Sequence, residues 1–463
     1  MSSYLDALIA AFPDNPPEAV VSDKYRGDWL MRALPEVMPL ALFRPRFTEE
    51  VSRALQICSQ LRIPVVPQGG LTGLTGGVVP SEGALLISME RMSKVEEVDP
   101  VSQLAVVQAG APLQAVQEAA DGAGLIFPLD IGSRGTCQIG GNLSTNAGGN
   151  RVLRYGMARA MVLGLEVVLA DGTVLSSMNR MLKNNAGYDL KQMFIGSEGT
   201  LGIITRAIVR LFPKPRSMAV CLASLADYGR VEAYLGLARE HLGESLSAFE
   251  VMWPEFYARA AASIQTPLPL PSGAGAYVLV EVSASDDRAE AQMADFVEAA
   301  FTAGLVEDAV LSQSIAQTQA IWAVRDTSGE IIKSFDPAGN FDISVATARI
   351  GDFVDDLRSR LPARWPNIQI IVFGHVCDGN IHIVTGDYDH VDAEAVELEV
   401  YEIARDHGGS ISAEHGIGLH KRDHLHLSRG PEEIAVMKSI KAALDPQGIL
   451  NPGKVLLQPL PDA

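Results

Sequence analysis

Apolar positions along the chain fall into two textures that meet near residue 215. In the first, Val51, Ala54, Leu55, Cys58 and Leu61 recur at helical spacing behind Thr48, which predicts a helix capped by that threonine. Ile63-Pro-Val-Val-Pro67 then reads as a strand running into glycines. Apolar runs at 84–88 and 104–108 predict further strands, 113–120 a helix, and 161–170 a buried strand closed by the turn Asp171-Gly172. Pro213-Lys-Pro215 ends this alternation of strand and helix. Beyond it, the strand pattern of 276–282, a helix over 289–303 and strands at 341–346 and 368–385 predict a second, α+β domain. Residues 266–273, rich in proline, read as a surface loop, and the turn-rich segment 445–454 as an ending that folds back on the first domain. The expected division is 1–215, with 445–463 returning to it, and 216–444. No internal repeat or low-complexity tract interrupts it.

One hairpin carries chemistry. Residues 368–373 are apolar, 381–384 resume the strand, and Asp378-Gly379 favours a two-residue type I′ turn. Such a turn sets His375 directly opposite His382, with Cβ atoms roughly 5 Å apart, near enough for both rings to ligate one ion. Glu414, in Ser-Ala-Glu-His415-Gly, is the natural third ligand. Two imidazoles and a carboxylate leave coordination positions open, which suits a catalytic divalent metal such as zinc or manganese. The plainer alternative is two half-buried histidines packed in a sheet. Cys377, between them, reads as a small residue flanking the turn.

Charge narrows the field. Among 463 residues, 56 acidic side chains outweigh 37 basic ones, and the net charge of −19 argues against nucleic acid or an anionic membrane as partner. Four cysteines without a Cys-x-x-Cys pair suit a reducing compartment. The amino terminus lacks the basic start of a signal peptide and no apolar run approaches about 20 residues, so a cytoplasmic protein that does not span a membrane is expected.

Two glycine-dense loops point to a cofactor. In the first, Gly69, Gly70, Leu71, Thr72, Gly73 and Gly76 can bring backbone N–H groups and hydroxyls together around a pyrophosphate, yet the loop is neither a Rossmann nor a Walker A fingerprint. The second concentrates Gly140, Gly141, Ser144, Asn146 and Gly149. Two such segments can grip one extended cofactor.

With Phe127-Pro-Leu-Asp-Ile-Gly, residues 139–149, Tyr155-Gly, residues 185–205 and Asn451-Pro-Gly-Lys454, these loops closely resemble the FAD-dependent D-2-hydroxyacid dehydrogenases of the vanillyl-alcohol-oxidase type, most of all the branch acting on D-2-hydroxyglutarate. The likeness runs from about residue 40 to residue 454 in order and spacing. It implies a two-part FAD-binding domain and an α+β cap built on an antiparallel sheet. Both glycine loops would hold FAD, with Ile203 near the flavin and Asn451 in the closing segment. Glu198 would stabilise its turn or touch the cofactor. Leu71 stands where some relatives carry a histidine bonded to the flavin, so non-covalent FAD is expected.

The resemblance also implies that Arg325 binds the substrate carboxylate, although on a helix surface it could equally pair with Asp326 or Glu330. His415, next to a metal ligand, would be the general base, or else a further ligand or core histidine. Electrons would leave the flavin for an external acceptor, an electron-transferring flavoprotein, a quinone or a cytochrome, or for oxygen; a homodimer is compatible with the pattern. Three positions depart from the D-2-hydroxyglutarate branch. Gly329, Asn340 and Val384 stand where it has a threonine, a lysine and an asparagine, so a substrate with a single carboxylate, such as D-lactate, becomes an expectation.

Overall fold

A computed structural model describes residues 2–30, 37–264 and 267–457 of the chain. Thr266, the start of the expected loop, and the last six residues of the expected 445–463 return lie outside them. The chain forms two compact units, one made of Met1–Gly149, Gly156–Lys214 and Glu414–Ala463, the other of Asn150–Tyr155 and Pro215–Ala413.

The first unit holds two sheets. A parallel one has the order Ala41–Phe43, Leu85–Ser88, Val65–Gln68, and an antiparallel one the order Val95–Asp99, Leu104–Gln108, Ile203–Arg210, Val162–Val168, Val174–Ser177. The helix Thr48–Leu61 buries Val51, Ala54, Leu55, Ile57 and Cys58, carries Glu49 and Glu50 at its positive end, and stops where Arg62 turns left-handed at φ 55°. Thr48 is not its cap, contrary to expectation: Phe47 holds that position, and the Thr48 hydroxyl donates instead to buried Glu166 (2.7 Å), which also accepts from Thr205 (2.9 Å). A buried carboxylate needs donors more than an exposed helix start needs a cap.

The second unit is built on a seven-stranded sheet in the order Asp308–Leu311, Ser217–Leu225, Ala276–Ala284, Leu246–Met252, Gln369–His375, Asn380–Gly386, Gly339–Ser344, with antiparallel pairing throughout. Every residue of Ala276–Ala284 is buried, so both faces of this strand are covered and its alternation is not one of core and solvent. Val220, Leu222, Met252, Tyr277, Leu279, Ile371, Phe373 and Val384 form one core with residues of the helices Pro254–Ser263, Ile315–Arg325 and Ser328–Lys333. Within this unit, Arg151 pairs with buried Glu281 (3.1 Å) and Arg154 donates to the Ser283 carbonyl (2.5 Å), which seats 150–155 beside the sheet.

Residues 414–444, expected in the second domain, belong to the first unit. Their backbone is tied there: Leu419 and His420 N–H groups donate to the Thr75 carbonyl (2.9 and 3.0 Å), and Lys441 Nζ reaches the carbonyls of Thr200 (2.7 Å) and Leu450 (2.8 Å) and the Asp445 carboxylate (2.5 Å). The returning segment joins the parallel sheet at its edge, where Val65 N–H donates to Ile449 O (2.8 Å) and Asn451 N–H to Val65 O (2.7 Å). Lys441→Met would take a donor from two carbonyls and the cation from the fully buried Asp445 carboxylate, which would keep the N–H groups of Ile449 (3.0 Å) and Leu450 (2.8 Å). We expect a loss of about 2–4 kcal/mol, measured as the change in urea-unfolding free energy; a loss below about 0.5 kcal/mol would show that the return does not depend on this ammonium.

Candidate functional site

The first unit contains a cleft walled largely by the two glycine loops. Gly69, Gly73, Gly140, Gly141, Ser144 and Ile203 line it, with Gln68, Glu198 and His415 among the other walls. The remaining expected cofactor residues lie outside that lining. A Cβ on Gly70 would strike the Thr136 carbonyl at 2.0 Å, so this glycine serves close packing of two loops. Leu71, at φ 60°, packs with the cluster of Tyr25, Leu42 and Val66. Gly76 N–H donates to Asp28 (2.8 Å), and Asn146 accepts from Arg159 N–H (2.9 Å). Asn451 donates to the carbonyls of Gly77 (2.9 Å) and Glu198 (2.8 Å), holding the wall from behind. Thr72 and Gly149 are likewise set back from the cleft.

Two observations fit an FAD in this cleft. Nothing lies within 4 Å of where a Cβ on Gly141 would be, so the space in front of this helical glycine is open. Gln68 spends its amide N–H groups on the carbonyls of Tyr25 (2.8 Å) and Val78 (3.0 Å), which leaves its buried Oε1 as an acceptor without a partner among the described residues. Glu198, at φ 53° and buried, lines the cleft and accepts from the N–H groups of Ile417 (2.7 Å) and Gly418 (2.8 Å), a tie to another segment and not to its own turn. Burial pushes its carboxyl pKa up, against the pull of those two bonds and of Lys421. The same ties hold the segment that carries Glu414 and His415. Glu414 Oε1 accepts from Gly149 N–H (2.8 Å), and the His415 carbonyl accepts from the Thr75 hydroxyl (3.3 Å).

In the second unit the histidine hairpin forms with a register different from the expected one. His375 pairs with Asn380 and Phe373 with His382, because residues 376–379 make a single 3-10 turn that Gly379 closes at φ 86° in place of a two-residue turn. The rings are therefore diagonal neighbours on one face. Their centroids lie 5.3 Å apart, and one nitrogen of each lies within 4.8 Å of the other. Each ring is backed by a buried carboxylate that sequence reading missed: Glu250 against His375 Nδ1, and Asp342 with Oδ1 3.7 Å from His382 Nδ1. The Glu250 hydrogen bond fixes the His375 ring and directs its other nitrogen to a metal, while Asp342 faces His382 as a charge beyond hydrogen-bond distance; two imidazoles so placed fit a divalent cation. Asp342 also accepts from Ala413 N–H (3.1 Å), so it anchors the chain one residue before Glu414.

Arg325 ends the helix Ile315–Arg325, is buried, and pairs with neither Asp326 nor Glu330. Its Nε donates to Glu250 (2.7 Å) and its guanidinium lies 4.6 Å from the centre of the Phe373 ring, while its two Nη groups make no hydrogen bond to described residues. Burial alone would raise the Glu250 pKa, but the neighbouring His375 and Arg325 bring it down to about 2. Of the three departures, Asn340 and Val384 are direct cross-strand partners. Val384 is fully buried in the core with Ile371 and Phe373, so its lost polarity is a matter of packing.

Comparison with known proteins places the chain in a family. Residues 39–177 match the FAD binding domain family and residues 214–455 the C-terminal domain of FAD linked oxidases. The D-2-hydroxyglutarate dehydrogenase, mitochondrial, of Bos taurus is 41% identical over 90% of this chain and 76% of its own length. A D-2-hydroxyglutarate dehydrogenase of Xanthomonas citri pv. viticola is 39% identical over 94% and 92%. In fold the chain is similar to p-cresol methylhydroxylase, with a TM-score of 0.78 at 17% identity over 98% of this chain and 96% of that one. The chain belongs to the FAD-linked oxidase family and, within it, to the FAD-dependent D-2-hydroxyacid dehydrogenases. No helix among the described residues is long and apolar enough to cross a membrane.

A Cβ at 141 would meet nothing within 4 Å beyond its own helix, and a leucine there would extend into the cleft that this glycine lines. Gly141→Leu should therefore keep its secondary structure by circular dichroism and lose at least about 90% of bound flavin by absorbance. Full flavin content would move the cofactor away from this glycine.

Proposed function

We propose that the protein oxidises a D-2-hydroxy acid to the 2-oxo acid with non-covalent FAD and a divalent cation, and passes the electrons to an external acceptor. The observation that carries the cation is the pair His375 and His382, each backed by its own buried carboxylate. Glu414, the carboxylate in Ser-Ala-Glu-His415-Gly, is the third ligand of the proposed set. When bound, such a cation lowers the pKa of a coordinated hydroxyl. FAD, when bound, supplies the redox chemistry, taking the α-hydrogen with its electron pair.

The remaining work falls to the chain. Arg325 presents its two Nη groups, held in orientation by Glu250 and Phe373, to the substrate carboxylate as a bidentate donor. His415, on the cleft wall with its backbone fixed by Thr75, takes the hydroxyl proton. Gly69, Gly73, Gly140, Gly141, Ser144 and Ile203 hold the cofactor directly. Gly70, Leu71, Thr72, Gly76, Asn146, Gly149 and Asn451 shape the loops that do so. Leu71, an alkyl side chain, offers no atom for a covalent link.

The names of the relatives favour D-2-hydroxyglutarate as substrate. A monocarboxylic acid such as D-lactate is the second reading, favoured by Asn340, a neutral side chain where a distal carboxylate would need a cation. Under anaerobic conditions, chelation should abolish bleaching of the flavin by the preferred acid while FAD stays bound. His415→Asn should slow bleaching by about 100-fold or more with the metal retained. Full bleaching in metal-free protein would remove the cation from the reaction. The ratio of kcat/KM for D-2-hydroxyglutarate over D-lactate decides the substrate: above about 100 the dicarboxylate reading stands, and below 1 the monocarboxylate replaces it.

A further inference from the structure

The geometry points to Glu250 as a positioning residue that joins the two halves of substrate recognition, the cation and the guanidinium, through its one carboxylate. This rests on the function proposed above and adds to it a residue that touches neither substrate nor cofactor. Glu250 sits in the strand Leu246–Met252 and is fully buried. Its Oε1 meets His375 Nδ1 and its Oε2 accepts from Arg325 Nε at 2.7 Å. Each oxygen has its own donor, and no water is needed to complete the set.

The consequence follows from the donor and acceptor chemistry of the side chain. With Nδ1 committed to Glu250 as a donor, His375 has its other nitrogen, Nε2, free of a proton and able to ligate a cation. With Nε committed to the same group, the Arg325 plane is fixed and both Nη groups are turned to one side. Only a side chain with two acceptors meets both demands. An amide of the same shape has one acceptor and one donor. Glutamine at 250 that accepts from Arg325 must donate to His375 Nδ1, and the proton then moves to the nitrogen that should hold the metal. Glutamine that accepts from His375 instead points its amide N–H groups at Arg325 and turns the guanidinium away. A cut at one position thus weakens one or the other of two interactions made by residues on different elements. A residue that merely filled space would weaken neither when replaced by its own isostere.

The test uses full-length protein loaded with FAD and stripped of metal. Zn²⁺ is titrated by calorimetry, and KM and kcat for D-2-hydroxyglutarate and D-lactate are measured with metal in excess. For Glu250→Gln we expect the Zn²⁺ Kd to weaken by 10-fold or more, or the KM of the better substrate to rise by 10-fold or more with the metal saturating, at unchanged flavin content. Glu250→Asp keeps both acceptors on a shorter stem and should recover part of whichever quantity fell. Zn²⁺ affinity and KM both within twofold of wild type in Glu250→Gln would overturn the proposal. Should that variant not fold, Glu250→Asp decides alone, with a shift of at least threefold in either quantity expected and its absence overturning the coupling. Failure of the underlying function looks different: metal-stripped wild type would reduce its flavin at full rate, whatever the Zn²⁺ isotherm of the variant shows.

Discussion

A carboxylate taken wholly out of water must find a donor for each oxygen inside the protein, and the arrangement of the sheet unit depends on how Glu250 meets this demand. It draws His375 from the hairpin on one side and the last residue of the helix Ile315–Arg325 on the other. Strand order makes this cheap: Leu246–Met252 is hydrogen-bonded to Gln369–His375, so Glu250 and His375 arrive side by side without any loop having to move. Removing Glu250 would leave the Arg325 guanidinium buried without its carboxylate, a cost of several kcal/mol. The site is therefore as rigid as the sheet that carries it.

The same rule organises the other unit. Glu198 binds the N–H groups of Ile417 and Gly418, and Glu166 gathers the hydroxyls of Thr48 and Thr205. Asp445 and Lys441 close the returning segment. In the first two cases a carboxylate fastens segments far apart in the chain. The cleft walls are thus fastened by buried polar groups, while much of the face toward the cleft is left to glycine. Glycine supplies both qualities that a cofactor cradle requires, close approach where Gly70 abuts the Thr136 carbonyl and open space in front of Gly141.

Local sequence determined a great deal. Helical spacing of Val51 to Leu61, the apolar runs that became Leu104–Gln108 and Val162–Val168, and the two glycine loops each carry their signal within a dozen residues, since helix and strand periodicity and glycine's freedom are local properties. The motifs from residue 127 to residue 205 were enough to place the chain in its family, and the nearness of His375 to His382 followed from one hairpin. Tertiary structure decided what no local signal can hold. Glu250 lies 75 residues from Arg325 and 125 from His375, and in sequence it is, with Ser247, one of two polar residues in a mostly apolar strand. The Thr48 hydroxyl went to Glu166, 118 residues away, because a buried acceptor outweighs a cap exposed to water. The hairpin register turned on whether Asp378 would begin a two-residue turn or complete a longer one, and pairing along the full length of both strands set that choice. Val384 was legible as a lost polar group, but only the packing of Ile371 and Phe373 against it shows that the position is core.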